Sequence, residues 1–232
     1  MSQQTTVQIS RELLKQQRVL NLLDDELLSQ VMQVSRFHRY AKHENVLRKG
    51  SVNDWLGILL RGRLQVIDTL VSGVEVGINF IEAGNFFGEI TVIDRQPRSA
   101  SLMASTECDI IQIPGDVARQ LFFRYPPVAE AIQVHLTHVM RRTNELRSLL
   151  SMQNVFQRTC ALIQYFMRPA PGGLIHIEQM PTHQELAIMV NTSRETVSRA
   201  LSELSRLGIV EKDGRRLIIR EPEQLAALVS AH

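Results

Sequence analysis

The sequence predicts an α+β protein in which a β-jelly-roll comes first, a long helix follows, and a winged helix-turn-helix closes the chain. Three observations carry that prediction. Short β-rich runs crowd the stretch from Phe37 to Pro114, apolar residues recur alternately four and three apart from Ile132 to Leu150, and two capped helical segments precede a hairpin signal in 182–220. The 232 residues leave room for two domains, at roughly 100–200 residues each. A hydrophobic fraction of 44% and a charged fraction of 22% suit a globular chain with cores to bury.

From Arg11 to Val34 the positions Leu13, Leu14, Leu20, Leu22, Leu23, Leu27, Leu28 and Val31 fall at mixed spacings of three and four. That is the pattern of short amphipathic helices, and Asp24 or Asp25 is placed to cap the second. The period then changes. WLGILL, LQVID, VEVGINFI and CDIIQIP are strand-like runs punctuated by Gly50, Gly62, Gly73 and Gly84, which predicts a sandwich or jelly-roll of short strands. Beyond Pro127, Ile132, Leu136, Val139, Thr143, Leu146 and Leu150 occupy the a and d positions of a heptad, the seam of a parallel helix dimer. Packing of the same stripe on the β-domain is compatible with this, because a seam of about three heptads is short for pairing on its own.

Asn154 to Met167 is a further helical segment, halted by RPAPGG, and LIHIEQ follows as a strand. Thr182, with Glu185 three residues on, forms a capping box for THQELAIMV, a helix ending near Asn191. Ser193 caps SRETVSRALSELSRL, which Gly208 ends, and IVEKDGRRLIIR folds back around Asp213-Gly214. Helix, short turn, helix, hairpin is the winged helix-turn-helix order.

Several function classes are set aside by composition. Cys108 and Cys160 are too few for a disulfide framework, a cysteine zinc site or an iron–sulfur cluster. The chain shows no Walker glycine loop, no Gly-x-Ser-x-Gly elbow and no His-Glu-x-x-His, so no catalytic residue is assigned and no enzyme is expected. No apolar run reaches the roughly 18 residues of a membrane span, and MSQQTTVQIS lacks the basic and apolar regions of a signal peptide, so a cytoplasmic location is expected. Net charge of +2 is compatible with nucleic acid without pointing to it.

In a helix-turn-helix the second helix lies in the major groove with its N-terminal turns against base edges. Arg194, Glu195, Ser198 and Arg199 fall on one flank of those turns, while Val197, Leu201 and Leu204 form the inward stripe. Arginine forks onto guanine and glutamate accepts from cytosine N4, so these are base readers. Thr182, Ser193 and Thr196 are the backbone-phosphate contacts, and Lys212, Arg215 and Arg216 make the trailing hairpin basic. A solvated amphipathic helix laced by Arg199–Glu203 and Glu203–Arg206 pairs is the plainer alternative. The conjunction of caps, turn, inner stripe and basic hairpin in order favours double-stranded DNA as the partner.

SRETVSRAL, preceded by THQELAIMVNT, resembles the recognition region of the cyclic-AMP receptor protein and FNR family of bacterial regulators. The resemblance implies readers at Arg194, Glu195 and Arg199 and a TGTGA-like half-site. Ser198 beside Arg199 is also the FNR-type arrangement, which leaves a TTGAT-like site as second choice. Within FFGEITVIDRQPRSA, one Arg, one Glu, one Ser and a glycine-freed backbone are a complete donor and acceptor set for a nucleotide, although such residues near a turn also form surface ion pairs. The segment resembles the family's phosphate-binding cassette. By that likeness Glu89 takes the ribose 2′-hydroxyl, Arg98 the cyclic phosphate, Ser99 with the Gly88 and Glu89 amides the remaining oxygens, Ile90 lines the site, and Thr143 and Asn144 reach the base from the long helix.

The resemblance extends over nearly the whole chain. It implies a jelly-roll of the cyclic-nucleotide-binding type over 1–127, a dimerisation helix and hinge over 128–153, and a DNA-binding winged helix over 154–232. The expected molecule is a homodimeric transcription regulator without a prosthetic group, whose small-molecule effector is cyclic AMP first and cyclic di-GMP second. RNA polymerase is a further partner implied, although RPAPGG replaces the loop with which the enteric member meets it. A nucleotide-sensing subunit that does not act on DNA, or a ligand-independent regulator of the same family, is the alternative. Haem would draw on His38, His43, His135 or His138; His135 and His138 flank the helix outside its seam and are expected at the surface.

Overall fold

The structure, a computed structural model, describes residues 10–17, 19–69, 75–170 and 172–230. The described residues cluster into two compact units, one of residues up to 69 with 78–140, the other of 75–77 with 141–230.

Helices Arg11–Lys15 (α1) and Asp25–Val34 (α2) open the first unit, separated by a 3-10 turn at Leu20–Leu22. Asp24 is the cap of α2, its carboxylate accepting from the Leu27 N–H at 2.8 Å. Eight strands follow: Arg36–Tyr40 (β1), Asn45–Leu47 (β2), Trp55–Arg61 (β3), Arg63–Thr69 (β4), Glu75–Glu82 (β5), Phe86–Phe87 (β6), Ser101–Ala104 (β7) and Cys108–Pro114 (β8). The four runs singled out in the sequence fall on β3, β4, β5 and β8. Two four-stranded sheets result, ordered β1-β8-β3-β6 and β2-β7-β4-β5, and the six-residue helix Glu89–Asp94 (α3) connects β6 to β7.

Period-two alternation sends the β8 side chains to two different cores. Ile110 joins Leu59, Leu64, Phe87, Leu102 and Cys108 in one cluster. Ile111 and Ile113 point the other way, with Leu56 and Ile58 of β3, into a cluster completed by α1, α2 and the helices Gly115–Arg124 (α4) and Pro126–Leu150 (α5). The same alternation along β3 sends Leu56 and Ile58 to one core and Leu59 to the other. Each fully buried Ile or Leu here contributes roughly 1.5–3 kcal/mol. Ile132 belongs to the helical cluster, 4% exposed.

In the second unit Val155–Phe166 (α6) starts at the cap Asn154, whose side chain accepts from the Phe156 and Gln157 amides. After Arg168–Pro169 (β9) and Ile175–Ile177 (β10) come His183–Met189 (α7), Arg194–Arg206 (α8), Val210–Asp213 (β11), Arg216–Ile219 (β12) and Pro222–Ser230 (α9). The sheet order is β11-β12-β10-β9. Cys160, Ile163, Leu204, Ile209 and Leu217 form the core, closed by Leu225 of α9, a helix the sequence analysis did not assign. The hairpin turn sits one residue later than expected: Asp213 pairs with Arg216, so Gly214 and Arg215 are the central residues, with Gly214 at φ +57°. Only Gly-like freedom suits that first central position.

Candidate functional site

The helix-turn-helix is built by local chemistry. Thr182 and Glu185 form the full capping box: the Glu185 amide donates to the Thr182 hydroxyl at 3.2 Å, and the Thr182 amide to the Glu185 carboxylate at 2.7 Å. Between α7 and α8 the chain turns through Asn191 at φ 52°, a left-handed position that asparagine tolerates well. Ser193 then caps α8, accepting from the Thr196 amide at 3.2 Å and sharing a 3.0 Å bond with the Thr196 hydroxyl. All three hydroxyls expected at phosphates therefore already organise helix starts, Thr182 that of α7 and Ser193 with Thr196 that of α8.

Val197, Ala200 and Leu204 are buried beneath α8 and Leu201 packs partly against them, whereas Arg194, Glu195 and Arg199 are exposed and Ser198 half-buried. The Arg199–Glu203 pair of the plainer alternative does not form. Arg206 holds both Glu203 oxygens, at 2.9 and 2.6 Å. Among the described residues the guanidinium groups of Arg194 and Arg199 make no hydrogen bond or salt bridge. Glu195 is held below the usual carboxylate range by its own backbone amide, the Ser193 hydroxyl, and then Arg194 and Arg199.

Lys212 and Arg215 are exposed on the wing, and Arg216 is tied to Glu178, which also meets His176. His183, at the start of α7, is pushed toward its neutral form by burial first and then by Lys212 and Arg194. Cationic groups from α8 and the wing thus act on one spot at the start of α7.

In the first unit the cassette bends at Gly88, φ +82°, where an added Cβ would lie 2.3 Å from the Arg98 Nη1. That close approach requires glycine. Arg98 is 3% exposed. Its Nη1 donates to the Gly88 carbonyl at 3.0 Å and its Nη2 to the Trp55 carbonyl at 2.7 Å, while the guanidinium lies over the Trp55 ring, 5.0 Å from the centroid. Burial lowers its pKa, opposed by Asp54 and Glu89. Arg98, the residue expected at the cyclic phosphate, is turned inward and held by two carbonyls. Its buried Nε has no partner among the described residues. A buried guanidinium with a donor to spare fits an anionic group.

Ser99 is exposed and Ile90 39% exposed, while Glu89 is buried. Sequence reasoning placed His135 at the surface. The structure instead packs its ring on Phe86, 4.2 Å between centroids, with Nε2 3.7 Å from a Glu89 oxygen. His138 is exposed as expected.

Of the seam residues, Ile132 is buried in the first unit's helical core cluster, and Leu136 packs partly against the same cluster. Leu146 is also buried, so neither Ile132 nor Leu146 presents area to a second chain. Val139 is half-buried, Thr143, Asn144 and Leu150 are exposed, and the most exposed apolar side chains of α5 are Met140 at 67% and Val134 at 47%, both outside the a/d set.

A model of the cyclic nucleotide-binding domain matches residues 37–125, and one of the Crp-like helix-turn-helix domain matches residues 157–228. The chain belongs to the cyclic-AMP receptor protein and FNR family. Among relatives, the CRP-like cAMP-activated global transcriptional regulator of Mycobacterium tuberculosis is 27% identical over 190 residues, 81% of this chain and 85% of the relative. The cyclic AMP receptor protein of Thermus thermophilus is 28% identical over 190 residues, 81% of this chain and 86% of its own. The solved structure of a CooA variant from Carboxydothermus hydrogenoformans shares the fold, with a TM-score of 0.75 and 21% identity over 94% of this chain and 95% of that one.

As a member of this family the chain is a DNA-binding transcription regulator with a cyclic-nucleotide-binding domain, and the named relatives are regulators rather than enzymes. Among the described residues no helix is long and apolar enough to cross a membrane, and no group of three or more His, Cys, Asp or Glu is placed to hold a metal ion. Both cysteines are buried, and burial pushes the Cys160 thiol up to about 12, which leaves it protonated at neutral pH.

Proposed function

We propose that the protein is a homodimer that binds cyclic AMP at its cassette and, in response, presents Arg194, Glu195 and Arg199 of each copy to a pseudo-palindromic TGTGA-like operator. The observation that carries the reading is the pair of exposed guanidinium groups on the first turns of α8, which make no hydrogen bond or salt bridge among the described residues while Arg206 and Arg216 are paired. Glu195 retains carboxylate lone pairs for a cytosine N4 amino group, and Thr182, Ser193, Thr196, Lys212 and Arg215 are assigned to the DNA backbone. In the cassette, Gly88, Glu89, Ile90, Arg98 and Ser99 are assigned to the ribose and cyclic phosphate. Support for cyclic AMP over cyclic di-GMP comes from the names of the relatives in Mycobacterium tuberculosis and Thermus thermophilus. Dimer contact is assigned to the open part of the α5 stripe, Leu136, Val139, Thr143 and Leu150.

The test combines calorimetry, with cyclic AMP and cyclic di-GMP in separate titrations, and fluorescence anisotropy on a TGTGA palindrome and a scrambled duplex. Arg199→Ala is expected to cost about 1–3 kcal/mol for each half-site, a loss of roughly tenfold to a hundredfold in affinity per fork, with little change on the scrambled duplex. Equal loss on both duplexes would assign Arg199 to phosphate rather than to a base. Failure of the unmodified protein to prefer the palindrome at any nucleotide concentration removes the operator assignment.

A further inference from the structure

We propose that His135 is a positioning residue of the effector site, which in its protonated form neutralises Glu89 beside the incoming cyclic phosphate and makes effector affinity depend on pH. The inference rests on the assignment of Glu89 to the ribose. Its own basis is separate: an imidazole fixed on the Phe86 ring, its Nε2 3.7 Å from a Glu89 oxygen, on the helix that leads away from the cassette.

The chemistry follows from charge. A cyclic nucleotide brings one negative phosphodiester to a site whose buried groups are Arg98, cationic, and Glu89, anionic. With His135 neutral these two charges cancel, and the phosphate gains little from the arginine. With His135 protonated the site carries one net positive charge, in a setting where burial strengthens each interaction. Proton uptake then accompanies binding, and affinity rises as the pH is lowered. Other groups do not supply this dependence. Strand β6 offers His135 the Phe86 ring and α3 offers Glu89; the other charges acting in the cassette are the Arg98 guanidinium and the exposed Asp54, and Glu130, His138 and Arg141 on α5 itself are exposed.

Cyclic AMP and cyclic GMP share the ribose and phosphate and differ in the base, so both serve as probes. Titration of the full-length protein from about pH 5.5 to about pH 8 is expected to show affinity for each falling by several-fold to about tenfold across that range. His135→Gln, which keeps a neutral amide near the place of Nε2, is expected to hold the high-pH affinity throughout, and His138→Gln to keep the unmodified slope. A slope that survives His135→Gln overturns the inference. Glu89→Gln separates the two levels. If it leaves binding of both nucleotides unchanged, or if neither nucleotide binds the unmodified protein, the ribose assignment falls and this inference with it; if it weakens binding while His135→Gln keeps the slope, only the role of His135 falls.

Discussion

Arg98→Met is expected to abolish cyclic-nucleotide binding and to lower the stability of the first unit by about 2–4 kcal/mol, since each charge-assisted bond to a buried acceptor is worth roughly 1.5–3 kcal/mol and the relieved desolvation of the guanidinium returns part of that. Both effects have one origin. The side chain is 3% exposed and its two outer nitrogens satisfy the carbonyls of Gly88 and Trp55. Methionine fills similar space but donates nothing, so two buried carbonyls lose partners and the cassette loses its cation. Differential scanning calorimetry should show the first unit melting lower by roughly 6–12 °C. Arg98→Lys keeps the charge but not the fork, and should restore part of the stability and little of the affinity. Trp55 is the only tryptophan of the chain and carries the Arg98 guanidinium 5.0 Å from its ring centroid, so its emission reports on this site directly. A full-strength cyclic AMP isotherm from Arg98→Met protein would remove Arg98 from the effector site.

What the sequence disclosed was the chemistry that acts between neighbours in the chain. The caps at Asp24, Thr182 and Ser193 each involve partners within three residues and form as expected, and Asn154 caps α6 by the same local chemistry. The period-two runs and the long helix follow from equally local patterning. Where a side chain finds its partner far along the chain, the sequence was silent. The stripe through Ile132 marks it as apolar without saying which surface covers it, and the cover turns out to be the first unit's own helical cluster. His135 lies off that stripe and looked solvated, yet Phe86 and Glu89, more than forty residues away, enclose it. The basic character of Arg98 was visible, but its acceptors are main-chain carbonyls, which no residue type announces. Helix α9 is a different case: Pro222 at its first position and Glu223 in its first turn are a start signal that was present and passed over.

Arg158→Ala is expected to cut operator binding by at least tenfold while leaving effector binding in the first unit unchanged. Arg158 sits in the first turn of α6 and spans two places that DNA reading needs held together. Its Nη1 donates to the Met152 and Gln153 carbonyls, at 2.8 and 3.1 Å, in the link that follows α5. Its Nε donates to the Val190 carbonyl at 3.0 Å, at the end of α7 where the turn into α8 begins. Val190 is fully buried, so truncation strands its carbonyl away from water at a cost of about 1–3 kcal/mol, with the exposed link losing less. The link and the turn would then fluctuate independently, and ordering them would be charged against DNA binding. Arg158→Lys reaches one carbonyl set at a time and should fall between the two. Anisotropy on the palindrome, set beside calorimetry with cyclic AMP, separates the outcomes: lost DNA affinity with intact effector affinity marks Arg158 as the brace of the reading head, whereas loss of both would mean that its removal unfolds more than the second unit.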